Sequence, residues 1–167
     1  MPERETPKIV SKKVGDHDDR VLSVAACDDG TDASICCEGR LRFWRPSSDR
    51  SFTAVRKHVD YACLLASVPG TGNVFSTGDG QVKGYSGNGA RCTTVVKSMP
   101  DATAISAFKG GLLVGTSKGD VLHYSEFYAA VPGPQMLEMG SVASVAKRGD
   151  RLLVVDGRGH VDLYCHG

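Results

Sequence analysis

An all-β fold of about four similar four-stranded units is what this sequence predicts, and three observations carry that reading. Four glycines recur at intervals of 41, 39 and 40 residues (Gly39, Gly80, Gly119, Gly159), and five positions after each stands Trp44, Tyr85, Tyr124 or Tyr164. Two positions after each glycine stands an aliphatic residue: Leu41, Val82, Val121, Val161. Around these marks lie short β-branched, alternating runs separated by turn residues. A period of about 40 residues built of short strands is that of β-propeller blades, each of which needs neighbours to cover its apolar faces.

The elements follow in order. In the first unit RVLSVAAC, Arg20 to Cys27, alternates and forms strand a, and the DDGT turn with Gly30 leads into strand b, Asp32 to Cys37. Glu38 and Gly39 make a second tight turn, where glycine takes the positive φ that a short hairpin demands. Strand c is RLRFWR, Arg40 to Arg45; PSSD is a turn; and SFTAVRK, Ser51 to Lys57, is strand d. The order repeats. Strand a recurs as YACLLASV, ATAISAF and SVASVAK, strand b as NVFSTG, LLVGTS and RLLVVD, and strand c as QVKGYS, DVLHYS and HVDLYC. Strand d recurs as TTVVKS in the second unit and at roughly Gln135 to Met139 in the third. Within strand c the aliphatic and the aromatic have opposite parity, so they face opposite sides of the blade and both sides are expected to be covered.

The fourth unit stops at strand c. The segment KIVSKKV, Lys8 to Val14, resembles the other outer strands and is expected to complete the last blade, in its own chain or a partner. Residues 1–6 are expected to be a disordered tail and 7–167 one propeller or half-propeller domain, with units at about 15–57, 58–98, 99–139 and 140–167 plus 7–14. Three outcomes are open for so few blades: a closed four-bladed ring, self-association of two half rings, or completion by a different protein.

Composition narrows the class. Of the 167 residues 41% are hydrophobic and 23% charged, as in a globular domain, and the net charge of +1 gives no basic field for nucleic acid. No apolar run approaches the ~18 residues of a membrane span, and MPERETPK lacks a signal-peptide core, so the expected location is the cytoplasm, with the nucleus also open. The six cysteines (Cys27, Cys36, Cys37, Cys63, Cys92, Cys165) form no CxxC pair and are expected to act as small buried hydrophobes. No metal or other cofactor is expected. Arg148-Gly149-Asp150 reads as the a–b turn of unit four, and the glycine-rich run at Lys109 to Asp120 lacks the helix of a phosphate loop. No nucleophile-elbow context surrounds any serine, so catalysis is not expected.

These residues resemble the WD40 family. His17 precedes Trp44 by 27 positions and His58 precedes Tyr85 by 27, the spacing of the family's Gly-His and Trp-Asp marks, although Trp-Asp itself is never present. The resemblance implies an Asp–His–Ser/Thr–Trp hydrogen-bond network, reproduced at most in part by Glu38, His17, Ser34 and Trp44 of the first unit. Units three and four, with Lys118 and Arg158 where the acid belongs, are expected to rely on apolar packing alone.

The resemblance also implies a non-enzymatic interaction scaffold that binds a polar peptide or partner subunit on one face of the disc. That face carries Asp16, His17, Arg20, Glu38, Arg40, Asp79, Lys118, Asp120, Arg158 and His160, acidic at the b–c turns of blades one and two and basic at those of three and four. Phe127 and Tyr128, with Val131, lie in a long c–d connection (Ser125 to Gln135) and are the candidates for an interface anchor on the other face. The alternatives are a structural subunit of a stable multiprotein assembly and, since GDHDDRV…GRLRFWRPSSDRSFT is similar to the opening repeat of the ubiquitin-binding propellers that serve AAA segregases, a ubiquitin-binding propeller.

Overall fold

The computed structural model describes residues 13, 15–45, 56–58, 62–86, 91–99, 101–125, 130–131 and 140–165. These form four antiparallel sheets whose strands lie in chain order. Blade one holds β1 (Val21–Ala26), β2 (Asp32–Cys36), β3 (Arg40–Trp44) and β4 (Arg56–Lys57). Blade two holds β5 (Ala62–Ser67), β6 (Val74–Gly78), β7 (Gln81–Tyr85) and β8 (Cys92–Val96). Blade three holds β9 (Ala102–Phe108), β10 (Gly111–Thr116), β11 (Val121–Ser125) and β12 (Ala130–Val131). Blade four holds β13 (Val142–Arg148), β14 (Arg151–Asp156) and β15 (Val161–Cys165).

Tight hairpins make the blades. The b–c turn glycines Gly39, Gly80, Gly119 and Gly159 have φ of 73°, 64°, 92° and 91°, the left-handed region the turn requires. At Gly39 the need is double, because a Cβ there would also stand 2.9 Å from the His58 carbonyl oxygen. Each strand a carries a register shift against its strand b near the b–c end, for example between Val21 and Ser23 and between Val142 and Ser144. Such a bulge increases local twist, which lets successive strands fan out.

The blades stack in sequence, β5 packing on β1, β9 on β5 and β13 on β9, so the first strand of each blade lies innermost. The strand-c parity decides what fills the joints. Between blades one and two, Ala33, Ile35, Leu41 and Phe43 meet Leu65, Val74 and Tyr85, with the Phe43 and Tyr85 rings 6.0 Å apart in a tilted pair. Between two and three, Phe75 and Val82 meet Leu112, Val114 and Tyr124. Between three and four, Leu113 and Val121 meet Val142, Val145, Leu152 and Val154. Gly115 is buried, and a Cβ on it would stand 2.3 Å from Val142 Cγ1.

The all-β propeller architecture agrees with the sequence, but several expectations change. The third outer strand forms at Ala130–Val131, where His123 pairs with Val131 and Tyr124 with Ala130. Val131 is therefore in a strand and not in a long loop, because a four-residue connection already brings the chain back onto β11. Gln135 to Met139, Phe127, Tyr128 and all but Lys13 of Lys8 to Val14 lie outside the described residues. Both faces of strand c are buried in the first three blades only; in blade four Tyr164 is half-buried and Val161 and Leu163 are each 60% exposed. Among the cysteines Cys27 and Cys36 are buried hydrophobes as expected, whereas Cys92 and Cys165 are exposed at the blades' outer strands.

The joint geometry sets a graded expectation. Tyr124→Ala, at a buried position between two blades, should cost about 3–5 kcal/mol and lower the thermal midpoint, while Tyr164→Ala on the half-covered blade should cost clearly less. Equal midpoints for the two variants would contradict the joint described above.

Candidate functional site

One rim of the disc is built from the b–c turns and the connections that lead into each strand a. Its local order comes from polar anchors that differ from blade to blade.

In blade one, Trp44 Nε1 donates to Ser34 Oγ at 2.7 Å, and Ser34 Oγ meets His17 Nε2 at 2.6 Å. An indole N–H can only donate, so the serine hydroxyl accepts from Trp44 and links it to the His17 ring. His17 Nδ1 is buried and has no hydrogen-bond partner among the described residues. Glu38 does not fill that place. It pairs with Arg40 at 3.1 Å, and Arg40 in turn reaches Asp18 at 2.6 Å. Arg42 bonds Asp18 at 3.1 Å and donates to the Asp16 carbonyl, while Lys13 pairs with Asp16 at 2.9 Å. The network is thus present in part, as expected, with Trp44, Ser34 and His17 joined and Glu38 drawn to Arg40, two residues along the same strand end.

Blade two carries a fuller version that the sequence reading did not assign. His58 Nε2 meets Ser76 Oγ at 2.5 Å, and His58 Nδ1 faces Asp79 Oδ2 at 3.4 Å, an electrostatic contact longer than a good hydrogen bond. Asp79 takes φ of 56° at the turn, a conformation aspartate tolerates better than most residues, and also faces Lys83 at 3.9 Å. The signal was available: His58 stands at the family spacing from Tyr85, Asp79 precedes the turn glycine, and Ser76 matches Ser34. The arrangement has the partners of a hydrolytic triad, but Ser76 and His58 are 0% and 1% exposed. A hydroxyl closed off in this way cannot meet a substrate, and the group serves to pin the turn.

Blades three and four do not rely on apolar packing alone, contrary to expectation. Buried Thr116 accepts from the Lys118 and Asp120 backbone N–H groups at 3.3 and 3.1 Å. Asp156, 2% exposed, accepts from the backbone of Arg158 (2.9 Å), His160 (2.9 Å) and Gly140 (3.1 Å), and its Oδ2 stands 3.0 Å from His160 Nδ1. Burial opposes ionisation of Asp156, but these donors together outweigh it and hold the carboxyl below the usual carboxylate range. A threonine and an aspartate at the end of strand b thus replace the histidine network by binding the turn backbone directly.

Of the candidate face residues, the fold brings Asp16, His17, Glu38 and Arg40 together at blade one with Asp18 and Arg42. Arg20 is exposed beside them, its carbonyl accepting from Cys37 N–H at 3.0 Å. Asp79 is drawn inward to His58 and Lys83, so the acids of blades one and two are internally compensated. Lys118, Asp120, Arg158 and His160 are exposed on the turns of the adjacent blades three and four. Lys118 and Arg158 make no ion pair among the described residues, and Arg158 lies over Gly140, whose added Cβ would stand 3.1 Å from its Nε. On the opposite rim, the a–b turns of blades two and three frame an open cleft of about 390 Å³ lined by Val68, Phe75, Phe108 and the Lys109–Gly110 turn. No group of His, Cys, Asp or Glu among the described residues is arranged to hold a metal.

No family model matches this chain, and no curated protein matches it. Solved propeller structures do. The computationally designed Ika4 protein matches with TM-score 0.77 at 14% identity over 95% of this chain and 100% of its own. The designed Ika8 protein matches with TM-score 0.73 at 16% identity, covering 90% of this chain and 47% of its own. The WD40 β-propeller domain of Doa1 matches with TM-score 0.70 at 17% identity, covering 91% of this chain and 53% of its own. The chain thus has the propeller fold and spans about half the length of the Ika8 and Doa1 chains.

The two histidines make stability depend on pH. Burial chiefly, with Arg42 for His17 and Lys83 for His58, lowers both pKa values below 6.5, against the opposing pull of Asp18 and Asp79. Below pH 6.5 the unfolded chain takes up protons that the folded chain refuses, so stability falls as pH drops until the folded-state pKa values are passed. The thermal midpoint should therefore decrease between about pH 7 and about pH 5, and His58→Asn should flatten that slope. An unchanged slope in the variant would show that His58 is not held neutral. Loss of the Asp156 contribution belongs to a separate, more acidic range below 3.8.

Proposed function

We propose that this chain is a non-enzymatic protein-interaction scaffold of WD40 type, whose b–c rim holds a polar peptide or a partner subunit by its acidic side chains. The observation that carries this reading is the charge left over on the rim. Glu38 and Asp79 are engaged by Arg40, His58 and Lys83, whereas Lys118 and Arg158 project from adjacent blades without an ion pair among the described residues. Their turns are pinned from below by Thr116 and Asp156, so the two cations are presented by fixed backbone. Charges placed this way steer a partner's approach and choose its sign. Asp120 on the same turn as Lys118 adds a negative point that a partner's own cation would meet. The expected place of such a rim is the cytoplasm, with the nucleus also open.

A second reading is a structural subunit of a stable assembly, and the apolar faces left open at blades one and four favour it. Ubiquitin is the partner that the resemblance of the first repeat implies, and a ubiquitin resin that retained none of the protein would end that version.

Reversing both cations tests the main reading. Lys118→Glu with Arg158→Glu should leave the thermal midpoint unchanged, since exposed turn side chains carry little stability. Association with a fluorescein-labelled Glu/Ser peptide should slow at least about tenfold at low salt and lose most of its salt dependence. Unchanged association kinetics would remove this rim as the binding surface.

A further inference from the structure

The three joints between blades obey one rule of position. Leu65 pairs across the sheet with Ser76 as Ile105 does with Val114 and Val145 with Val154, and each of these residues faces the preceding blade. The aromatic five past the turn glycine, Tyr85, Tyr124 or Tyr164, faces the same way. Both meet residues of the preceding blade that lie two or four past its own turn glycine, Leu41 and Phe43 in the first joint, Val82 in the second and Val121 in the third.

At the two ends this rule leaves half-joints. Val24 pairs with Ser34 and so holds the Leu65 position, yet it is 71% exposed. At the other end Val161 and Leu163 hold the Leu41 and Phe43 positions and are also open to solvent. The segment before blade one adds a second sign. Gly15 and Asp16 stand two and one before His17 as Arg56 and Lys57 stand before His58, and Arg56–Lys57 is the outer strand of the blade ahead. Gly15 lies so close over Trp44 that a Cβ there would stand 2.2 Å from its ring. By sequence offset these residues hold the outer-strand position of a blade ahead of blade one, and Gly15 lies against that side of Trp44.

We propose that the open face of blade four docks on the open face of blade one of a second copy of this chain, twice over, to close a ring of two four-bladed halves. A second copy is the occupant because one chain carries both halves of the joint, each in the position its three internal joints use. Among the described residues the two end faces do not cover each other, and the chain spans about half the length of the Ika8 and Doa1 chains it matches. In the pair, the segment at Gly15 and Asp16 lies beside β15 of the other copy, which is the outer edge of blade four among the described residues.

Mass and charge-swap complementation test this. In solution the full chain should have twice its 17.7 kDa chain mass by sedimentation equilibrium. Val24→Lys and Leu163→Asp, both at solvent-exposed sites, should each keep the strand-type circular dichroism and weaken dimerisation by about 100-fold or more, because each buries an unpaired charge in both joints. An equimolar mixture of the two variants should recover the double mass, since one joint then opposes lysine to aspartate and the other is wild-type. A wild-type mass of 17.7 kDa would overturn the proposal in favour of in-chain closure or completion by another protein. Dimers that survive either single substitution, or a mixture that stays monomeric, would overturn the head-to-tail arrangement.

Discussion

A five-residue strand that is apolar on both sides has to be kept from water on both sides, and strand c meets this in the first three blades, while in blade four one side stays open. Its aliphatic and its aromatic point in opposite directions, so a blade in isolation would leave both of them wet. Burying such a ring is worth about 3–5 kcal/mol by truncation, whereas an exposed ion pair such as Arg40 with Asp18 contributes about 0–1 kcal/mol. The stack is therefore held by its joints, and the rim charges are free to vary without endangering it. Gly115 fits the same logic: in a joint already filled by Val142, the residue without a side chain on β10 lets β13 of the next blade approach.

Polar chemistry has a narrower role, which is to hold the turns. The four blades do so in two ways. Blades one and two send a histidine from the incoming connection onto a strand-b serine, which ties two segments together through side chains. Blades three and four let a threonine or an aspartate at the end of strand b take the turn amides directly. The second device does not need the histidine, which is why Lys118 and Arg158 can occupy the acidic position of the first two turns and point outward. A change in anchoring thus releases two positions for surface chemistry.

Much of this was legible in the sequence, for reasons that are local. The turn glycines, strand a, strand b and strand c of every unit follow from alternation and hairpin chemistry, and the strands form where Arg20 to Arg45 and its repeats place them. What escaped depends on partners distant in sequence. The third outer strand at Ala130–Val131 is decided by pairing with His123 and Tyr124, and two residues carry too little pattern to announce themselves. Glu38 was the candidate acid for His17, but Arg40, which also holds Asp18, pairs with it instead, a competition no spacing rule contains. The role of Asp156 is not written in its own strand, because its donors come from Gly140, Arg158 and His160 on two different connections. The motif positions told where the turns are; only the fold told what grips them.

Trp44 is the single tryptophan of the chain, and it stands on the outward side of blade one against His17, Ser34 and Gly15. Its indole emission therefore arises from one place, at the terminal surface of the stack, with no other indole to dilute it. The His17 ring meets it edge-on at 5.9 Å, close enough for a change in that imidazole's environment to register in the fluorescence. The molecule carries its own optical reporter at the end of the arc, and light at one wavelength reads that surface without any label being attached.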